Sequence, residues 1–318
     1  MRFYVGVTNN SWFNFHFKSC PDEVNFWRPG MTPFRALEPG GLFLFKLHSP
    51  LDFIAGGGYF VSYTRIPLSV AWLAFGQKNG FPSEDLFLRM INSLRKDPHC
   101  PDPEIGCVVL AEPFFWPQSL WIPAPTSWPK NLVQGKGFDS EDPVGQQLLQ
   151  EVKVRQAMMM PDTPELAAAE SRPSYGDQSH GLDEESRYRE KMTKVRLGQG
   201  GFRVLVTDAY ERRCTITGEK TLPVLEAAHI KPYAKSGPHS IQNGVLLRSD
   251  MHILFDRGYL TITPDRKIEV SKRIHEQFTN GKLYYSYHGT SLKSLPCDPS
   301  NHPASTFLDW HNRNIFIA

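Results

Sequence analysis

Between about residues 156 and 190 the chain loses sustained apolar periodicity. From Met158-Met159-Met160-Pro161 to Glu184-Glu185-Ser186 it mixes Pro, Ala, Ser, Gly, Asp and Glu, with only Pro164–Ala169 a good helix former. Such a segment cannot bury enough surface to offset its ordering entropy, so it reads as a linker. Each flanking piece must then build its own core, and 318 residues suffice for two. The expected organisation is a first domain over 1–155, a linker over 156–190 and a second domain over 191–318. Hydrophobic residues at 40% and charged residues at 21% are an ordinary globular balance for both.

No apolar run approaches the roughly 20 residues that span a bilayer, so no membrane partner is expected. The opening Met1-Arg2-Phe3-Tyr4-Val5-Gly6-Val7 reads as a strand and not as a leader, which makes a cytoplasmic protein the expectation. Five cysteines, Cys20, Cys100, Cys107, Cys214 and Cys297, are scattered without a C-x-x-C pair. That spacing argues against a disulfide framework and against a structural zinc. The net charge of +2 hides an asymmetry: residues 191–318 carry 18 Lys/Arg against 11 Asp/Glu, or +7, leaving −5 for residues 1–190. A basic half favours a polyanionic partner.

The first domain reads as mixed α/β. Its candidate strands are Arg2–Thr8, Gly41–His48, Phe53–Tyr63, Gly106–Glu112 and Leu120–Ile122, and its candidate helices are Ser69–Phe75 and Ser83–Leu94. Leu42-Phe43-Leu44-Phe45-Lys46-Leu47 suits a strand buried on both faces. Gly56-Gly57-Gly58 suggests a bulge or a close backbone approach. In the second domain, Phe202, Leu205, Val206 and Ala209 give an amphipathic helix over Gln199–Arg212. Strands follow at Leu222–His229 and Gly244–Leu247, then a short helix Asp250–Arg257, capped by Ser249 and ended by Gly258, then strands Leu260–Ile262 and Ile268–Val270.

Polar residues recur at marked positions in that second pattern. His229 ends a strand, Asn243 follows 14 positions later before the next strand, and His252 lies 9 further on in the helix. Asp256 comes 4 after His252, on the same helix face. Phosphodiester hydrolysis at neutral pH needs a base for water, a group that orients the base, and a cation that offsets charge in the transition state.

The segments Leu225-Glu226-Ala227-Ala228-His229-Ile230-Lys231-Pro232, Asn243-Gly244-Val245-Leu246-Leu247 and His252-Ile253-Leu254-Phe255-Asp256-Arg257-Gly258 closely resemble HNH endonucleases with a ββα-metal core. The likeness covers roughly Val195 to Val270, with Phe202-Arg203 in the approach helix and the turn Cys214-Thr215-Ile216-Thr217-Gly218. It implies that His229 is the general base, that Asn243 pins the loop positioning it or touches the metal, and that His252 binds a divalent cation with Asp256 as a further ligand. Mg²⁺ is the ion the family implies, while imidazole also suits Mn²⁺, Ni²⁺ or Zn²⁺. Many such enzymes carry a carboxylate or histidine immediately before the base, where this chain has Ala228. Either Asp256 with His252 holds the metal, or Glu226, on the same strand face as Ala228, contributes. Arg203, Arg248 and Arg257 are candidate phosphate contacts, or else solvated charges. His239, His275, His288, His302 and His311 read as ordinary surface or core histidines, and Phe307–Asn312 as a packing helix.

The first domain is rich in aromatic residues near turns. Its segments Phe26-Trp27-Arg28-Pro29-Gly30, Leu42–Leu47 and Gly56-Gly57-Gly58-Tyr59-Phe60-Val61 are similar to the PUA-like superfamily that includes EVE and ASCH domains, over about residues 1–130. The fold expected for the chain is therefore α+β, a PUA-like β-barrel with helices followed by a ββα-metal domain. Related domains joined to HNH nucleases read modified bases in modification-dependent restriction enzymes of bacterial antiviral defence. A base flipped from the duplex can be held between aromatic faces; Trp12, Trp27 and Tyr59 are the candidates, with Arg28 for phosphate. The leading expectation is thus a restriction endonuclease acting on double-stranded DNA with modified bases, with a homodimer as one route to double-strand breaks. The alternatives are a DNA-binding sensor whose HNH fold no longer cuts, for which Ala228 speaks, and a nuclease selecting DNA structure or phosphorothioate backbones.

Overall fold

The computed structural model describes residues 1–30, 32–95, 99–129, 131–159 and 198–318. Most of the expected linker, 160–190, lies outside them, as does Val195. The chain divides into two units, Met1–Arg65 with Gly76–Arg196, and Ile66–Phe75 with Leu197–Ala318. It is a mixed α+β protein. Among the described residues no helix is long and apolar enough to cross a membrane.

The first unit is built on β1 (Arg2–Thr8), α1 (Asn10–Ser19), β2 (Glu23–Arg28), β3 (Leu42–Leu47) and β4 (Phe53–Pro67). Helix α2 (Leu68–Phe75) follows β4, although it packs as part of the second unit; then come α3 (Glu84–Ser93), β5 (Glu104–Phe115), β6 (Ile122–Pro123), β7 (Gly135–Asp139) and α4 (Pro143–Met159). The seven strands form one sheet in the order β2-β5-β4-β3-β1-β7, with β6 beside β4. The β1–β3 pair is parallel, while β2–β5, β3–β4 and β1–β7 are antiparallel.

Strand β3 is buried on both faces, as its unbroken apolar run requires. Phe43, Phe45 and Leu47 join one core with Trp12, Phe13 and Phe115, whereas Leu42 and Leu44 join another that α4 closes with Leu148 and Val152. The Gly56-Gly57 backbone meets its neighbours so closely that a Cβ on Gly56 would strike the Phe114 carbonyl and one on Gly57 the Phe43 carbonyl. Beside it the register slips: Phe45 faces Gly56 while Lys46 faces Ile54, leaving Ala55 as the extra residue of a bulge. Helix α1 is capped by Asn9, whose side chain accepts from the amides of Ser11 and Trp12.

The second unit continues with α5 (Gln199–Ala209), β8 (Leu225–His229), β9 (Gly244–Arg248), α6 (Ser249–Asp256), β10 (Leu260–Ile262), β11 (Ile268–Val270), α7 (Arg273–Phe278), α8 (Lys282–Tyr285) and α9 (Ser305–Asn314). Strands β8 and β9 pair antiparallel with His229 opposite Gly244, and β10 pairs with β11. One core, including Phe202, Val206, Tyr210, Ala228, Val245, Leu247, Met251 and Phe255, joins α5, the β8–β9 hairpin and α6. Helix α2 lies against α5, where Gly200 leaves room for the Phe75 ring and the Ala74 carbonyl. Gly258, at φ +74, ends α6 as anticipated. Ser249 is not its cap: it is the first helical residue, and its hydroxyl donates to the Val224 carbonyl instead. As expected, α9 is a packing helix, burying Leu308 and His311.

Candidate active site

Strand β8 delivers His229 to the start of a loop that the chain closes on itself at Asn243. Asn243 is fully buried, in a single 3-10 turn. Its Oδ1 accepts from the Lys231 amide at 2.8 Å, and its Nδ2 donates to the carbonyls of Lys231 and Pro238, both at 2.9 Å. The Ile230 amide in turn donates to the Asn243 carbonyl at 2.9 Å. A buried amide that uses both its ends on one loop fixes that loop's course, because breaking any contact leaves a buried polar group unpaired. The loop also needs Gly237, since a Cβ there would run into the Lys231 carbonyl.

The His229 ring lies flat on Phe202 of α5, centroids 3.8 Å apart and planes 12° apart. Its Nε2 is 2.9 Å from Nδ1 of His239, which belongs to the same loop. Tyr233 covers His239 in turn, at 4.3 Å and 15°. Burial, and then the nearby His239 and His252, lower the His229 pKa to about 4. The ring is therefore neutral at pH 7, with a lone pair available.

His252 is held between two carboxylates. Its Nδ1 is 2.6 Å from Glu226 Oε2 on β8, and its Nε2 is 3.3 Å from Asp256 Oδ2 one helical turn on. Burial raises the Glu226 carboxyl, but the hydrogen bond from His252, with neighbouring Ser249 and Arg203, outweighs it and leaves the group below its ordinary value. Burial raises Asp256, and the neighbouring Glu226 charge adds to the rise against His252. Ala228 is sealed in the core, so position 228 supplies nothing to this site.

The donor set suits a divalent cation. Cis donors on an octahedral ion at about 2.1 Å stand about 3 Å apart, close to the separation of His252 Nε2 and Asp256 Oδ2. Glu226, bonded to the other ring nitrogen, takes the orienting position common behind metal-binding histidines. Among the described residues no three His, Cys, Asp or Glu side chains are grouped to hold an ion. Two protein donors, with water and phosphate oxygens completing the shell, are what Mg²⁺ commonly accepts.

The three candidate arginines are spread around the unit. Arg203 is half-buried on α5 and donates to the Leu73 carbonyl at 3.3 Å. Arg248 is committed to Asp250 through two bonds, of 2.6 and 2.8 Å. Arg257 is exposed at the end of α6. Four of the five histidines read as ordinary have structural settings. His311 is buried between the Thr261 hydroxyl and the Phe255 carbonyl, His302 meets the Pro296 carbonyl, His288 accepts from the Val270 amide, and His275 sits in α7. His239 is the exception, since its Nδ1 lies against Nε2 of His229.

The aromatic candidates of the first unit do not form a common cage. Trp12 is only 3% exposed and packs edge-on against His16, Phe26 and Phe45, so its reading as a base platform is corrected: it is core. Trp27 borders the same core, donating to the Asn79 carbonyl at 3.0 Å, whereas Tyr59 borders the other core beside Phe114. Arg28 donates to the Thr32 carbonyl and the Gln134 side chain.

No curated protein matches the chain. Among solved structures it is similar to a modification-dependent TagI restriction endonuclease, at 23% identity over 38% of this chain and 39% of that one, with a TM-score of 0.27. It thus spans well under half the length of that enzyme. It is also similar to two mutant forms of ZmASCH from Zymomonas mobilis, at 11% and 13% identity, over 47% and 46% of this chain and 94% and 96% of those, with TM-scores of 0.31 and 0.30. Residues 214–263, which carry His229, Asn243 and His252, match the HNH endonuclease family.

Proposed function

We propose that the second unit is a metal-dependent endonuclease that hydrolyses phosphodiester bonds in double-stranded DNA. The observation that carries this reading is the neutral, half-buried His229 on a loop stapled by Asn243, beside a His252–Asp256 pair spaced like two cis metal donors. His229 takes the proton from the attacking water, while Phe202 and the Asn243-pinned loop hold its ring still. His252 and Asp256 would hold a divalent cation, Mg²⁺ by family resemblance and Mn²⁺ or Ni²⁺ by donor chemistry, with Glu226 orienting His252. When bound, the cation offsets charge on the phosphate and the leaving oxygen. Arg257, exposed beside α6, is the best placed of the three arginines for a DNA phosphate.

The first unit is proposed to select modified bases, by its resemblance to PUA-like domains, which makes the protein a modification-dependent restriction enzyme of bacterial defence. Trp27 and Arg28, adjacent and partly exposed on β2, are the candidates retained there, with Tyr59 a separate one. Plasmids with and without cytosine modification, digested side by side with Mg²⁺, test both claims. Cleavage confined to the modified plasmid supports the full reading, equal cleavage removes the selection, and no cleavage of either favours a DNA-binding sensor, the reading suggested by Ala228.

A further inference from the structure

His239 is absent from the His-Asn-His pattern, yet its Nδ1 lies 2.9 Å from Nε2 of His229. The pair is clamped on both sides, by Phe202 against His229 and Tyr233 against His239, and the two imidazoles meet at 60°. Asn243, four residues after His239, closes the loop that carries both, through the carbonyls of Lys231 and Pro238. His239 is thus held on His229 by its own ring contacts and by a fixed backbone.

A hydrogen bond between two neutral imidazoles needs one N–H and one lone pair, so two proton arrangements satisfy this contact. In one, both rings carry the proton on Nε2, the tautomer that neutral histidine prefers; His229 Nε2–H then donates to His239 Nδ1. In the other, both rings carry it on Nδ1, the less stable form of each. The first arrangement leaves the lone pair of His229 on Nδ1, the nitrogen turned away from His239.

We infer that His239 is a positioning residue for the base: by accepting the His229 Nε2 proton it fixes the tautomer and makes Nδ1 the atom that takes a proton from water. This rests on reading His229 as the base of a nuclease. Asparagine and leucine at 239 separate the bond from mere filling of space, because the Asn oxygen reaches nearly where Nδ1 lies and leucine cannot accept.

The experiment uses the full chain as wild type, His239→Asn and His239→Leu. The ¹⁵N shifts of the His229 ring, assigned by comparison with His229→Gln, read the tautomer directly. Plasmid nicking with Mg²⁺ gives kcat and KM, and thermal melting checks the fold. The expected result is an Nε2–H tautomer in the wild type and the Asn variant, and a mixture in the Leu variant. The Leu variant should also lose about 10- to 100-fold in kcat with KM nearly unchanged, most of it regained by Asn. A wild-type His229 protonated on Nδ1, or equal kcat for Leu and Asn, overturns the inference. A wild type that cuts nothing overturns the nuclease reading instead, and the tautomer spectrum still decides the role of His239. Should the Leu variant fail to fold, the wild-type and Asn spectra decide it.

Discussion

The two units use ring side chains in opposite ways. In the first, Trp12, Phe26, Phe45 and Phe115 pack on one another inside the sheet, and His16 is buried among them. Among the described residues neither ring nitrogen of His16 has a partner, nor does Trp12 Nε1. In the second unit, rings lie flat against histidines that are themselves bonded: Phe202 on His229, Tyr233 on His239, Phe255 on His311. Burial is similar for His16 and His311, but only His311 has both nitrogens satisfied, by Thr261 and the Phe255 carbonyl. Aromatic richness alone therefore marks a core in the first unit, whereas in the second a flat aromatic face accompanies bonded histidines, buried at His311 and half-buried at His229 in the candidate site.

Trp12→Ala bears on that contrast with the largest expected effect. As a core residue it should cost about 3–5 kcal/mol of stability, with DNA affinity per folded molecule unchanged. Equilibrium denaturation together with a DNA-binding titration checks it; lost affinity at unchanged stability would restore Trp12 as a reader of bases. Asn243→Ala should cost about 3 kcal/mol by orphaning groups of Lys231 and Pro238, and cleavage should fall with it. Urea unfolding and plasmid nicking measured on one preparation would reveal whether the two losses travel together. Glu226→Gln should raise the metal concentration for half-maximal cleavage about 10- to 100-fold, because it weakens the group orienting His252. An unchanged metal requirement would show that Glu226 is not behind the metal ligand.

The acid response separates the two buried histidines. His16 is lowered by burial to about 3, and His311 by burial to about 4 against a bond to the Phe255 carbonyl. Both folded values lie below 6.5, so the unfolded chain takes up these protons first as pH falls. The stability each group confers is complete above 6.5 and is lost from there toward its folded pKa. Between pH 6.5 and 5 each contributes a loss of about 2 kcal/mol. His16→Leu should abolish its share and leave stability at pH 7 equal or higher, since it removes an unpartnered polar ring. His311→Leu should remove its share too, but lower stability at pH 7 by orphaning Thr261. Denaturant midpoints at pH 7 and pH 5 distinguish the two variants, and matching behaviour would erase the contrast.

How much of this was legible depends on whether the information was local. Strands β1, β10 and β11 match their sequence readings at both ends, because alternation and turn residues bound them. His229, Asn243 and His252 were legible because their spacing encodes strand, loop, strand and helix. Helix α1 was not, since Trp, Phe and His in Asn10–Ser19 are weak helix formers and the cap at Asn9 supplies what propensity lacks. Helix α4 reaches Met159, into the segment read as linker, because Leu148 and Val152 bury against the sheet. His239 follows no period within the 14 residues between β8 and β9, and only the closed loop brings it to His229. Glu226 shares the strand face of Ala228, but its contact with His252 Nδ1, 26 residues away, is visible only in the folded chain.

The most direct test of the central claim is cleavage of a modified plasmid by the full chain, wild type and His229→Ala, with Mg²⁺ and with EDTA. The wild type should cut only with the metal, and the variant should fold normally while cutting about 10²- to 10⁴-fold more slowly. Cleavage that survives EDTA, or a His229→Ala variant as active as the wild type, would contradict the account.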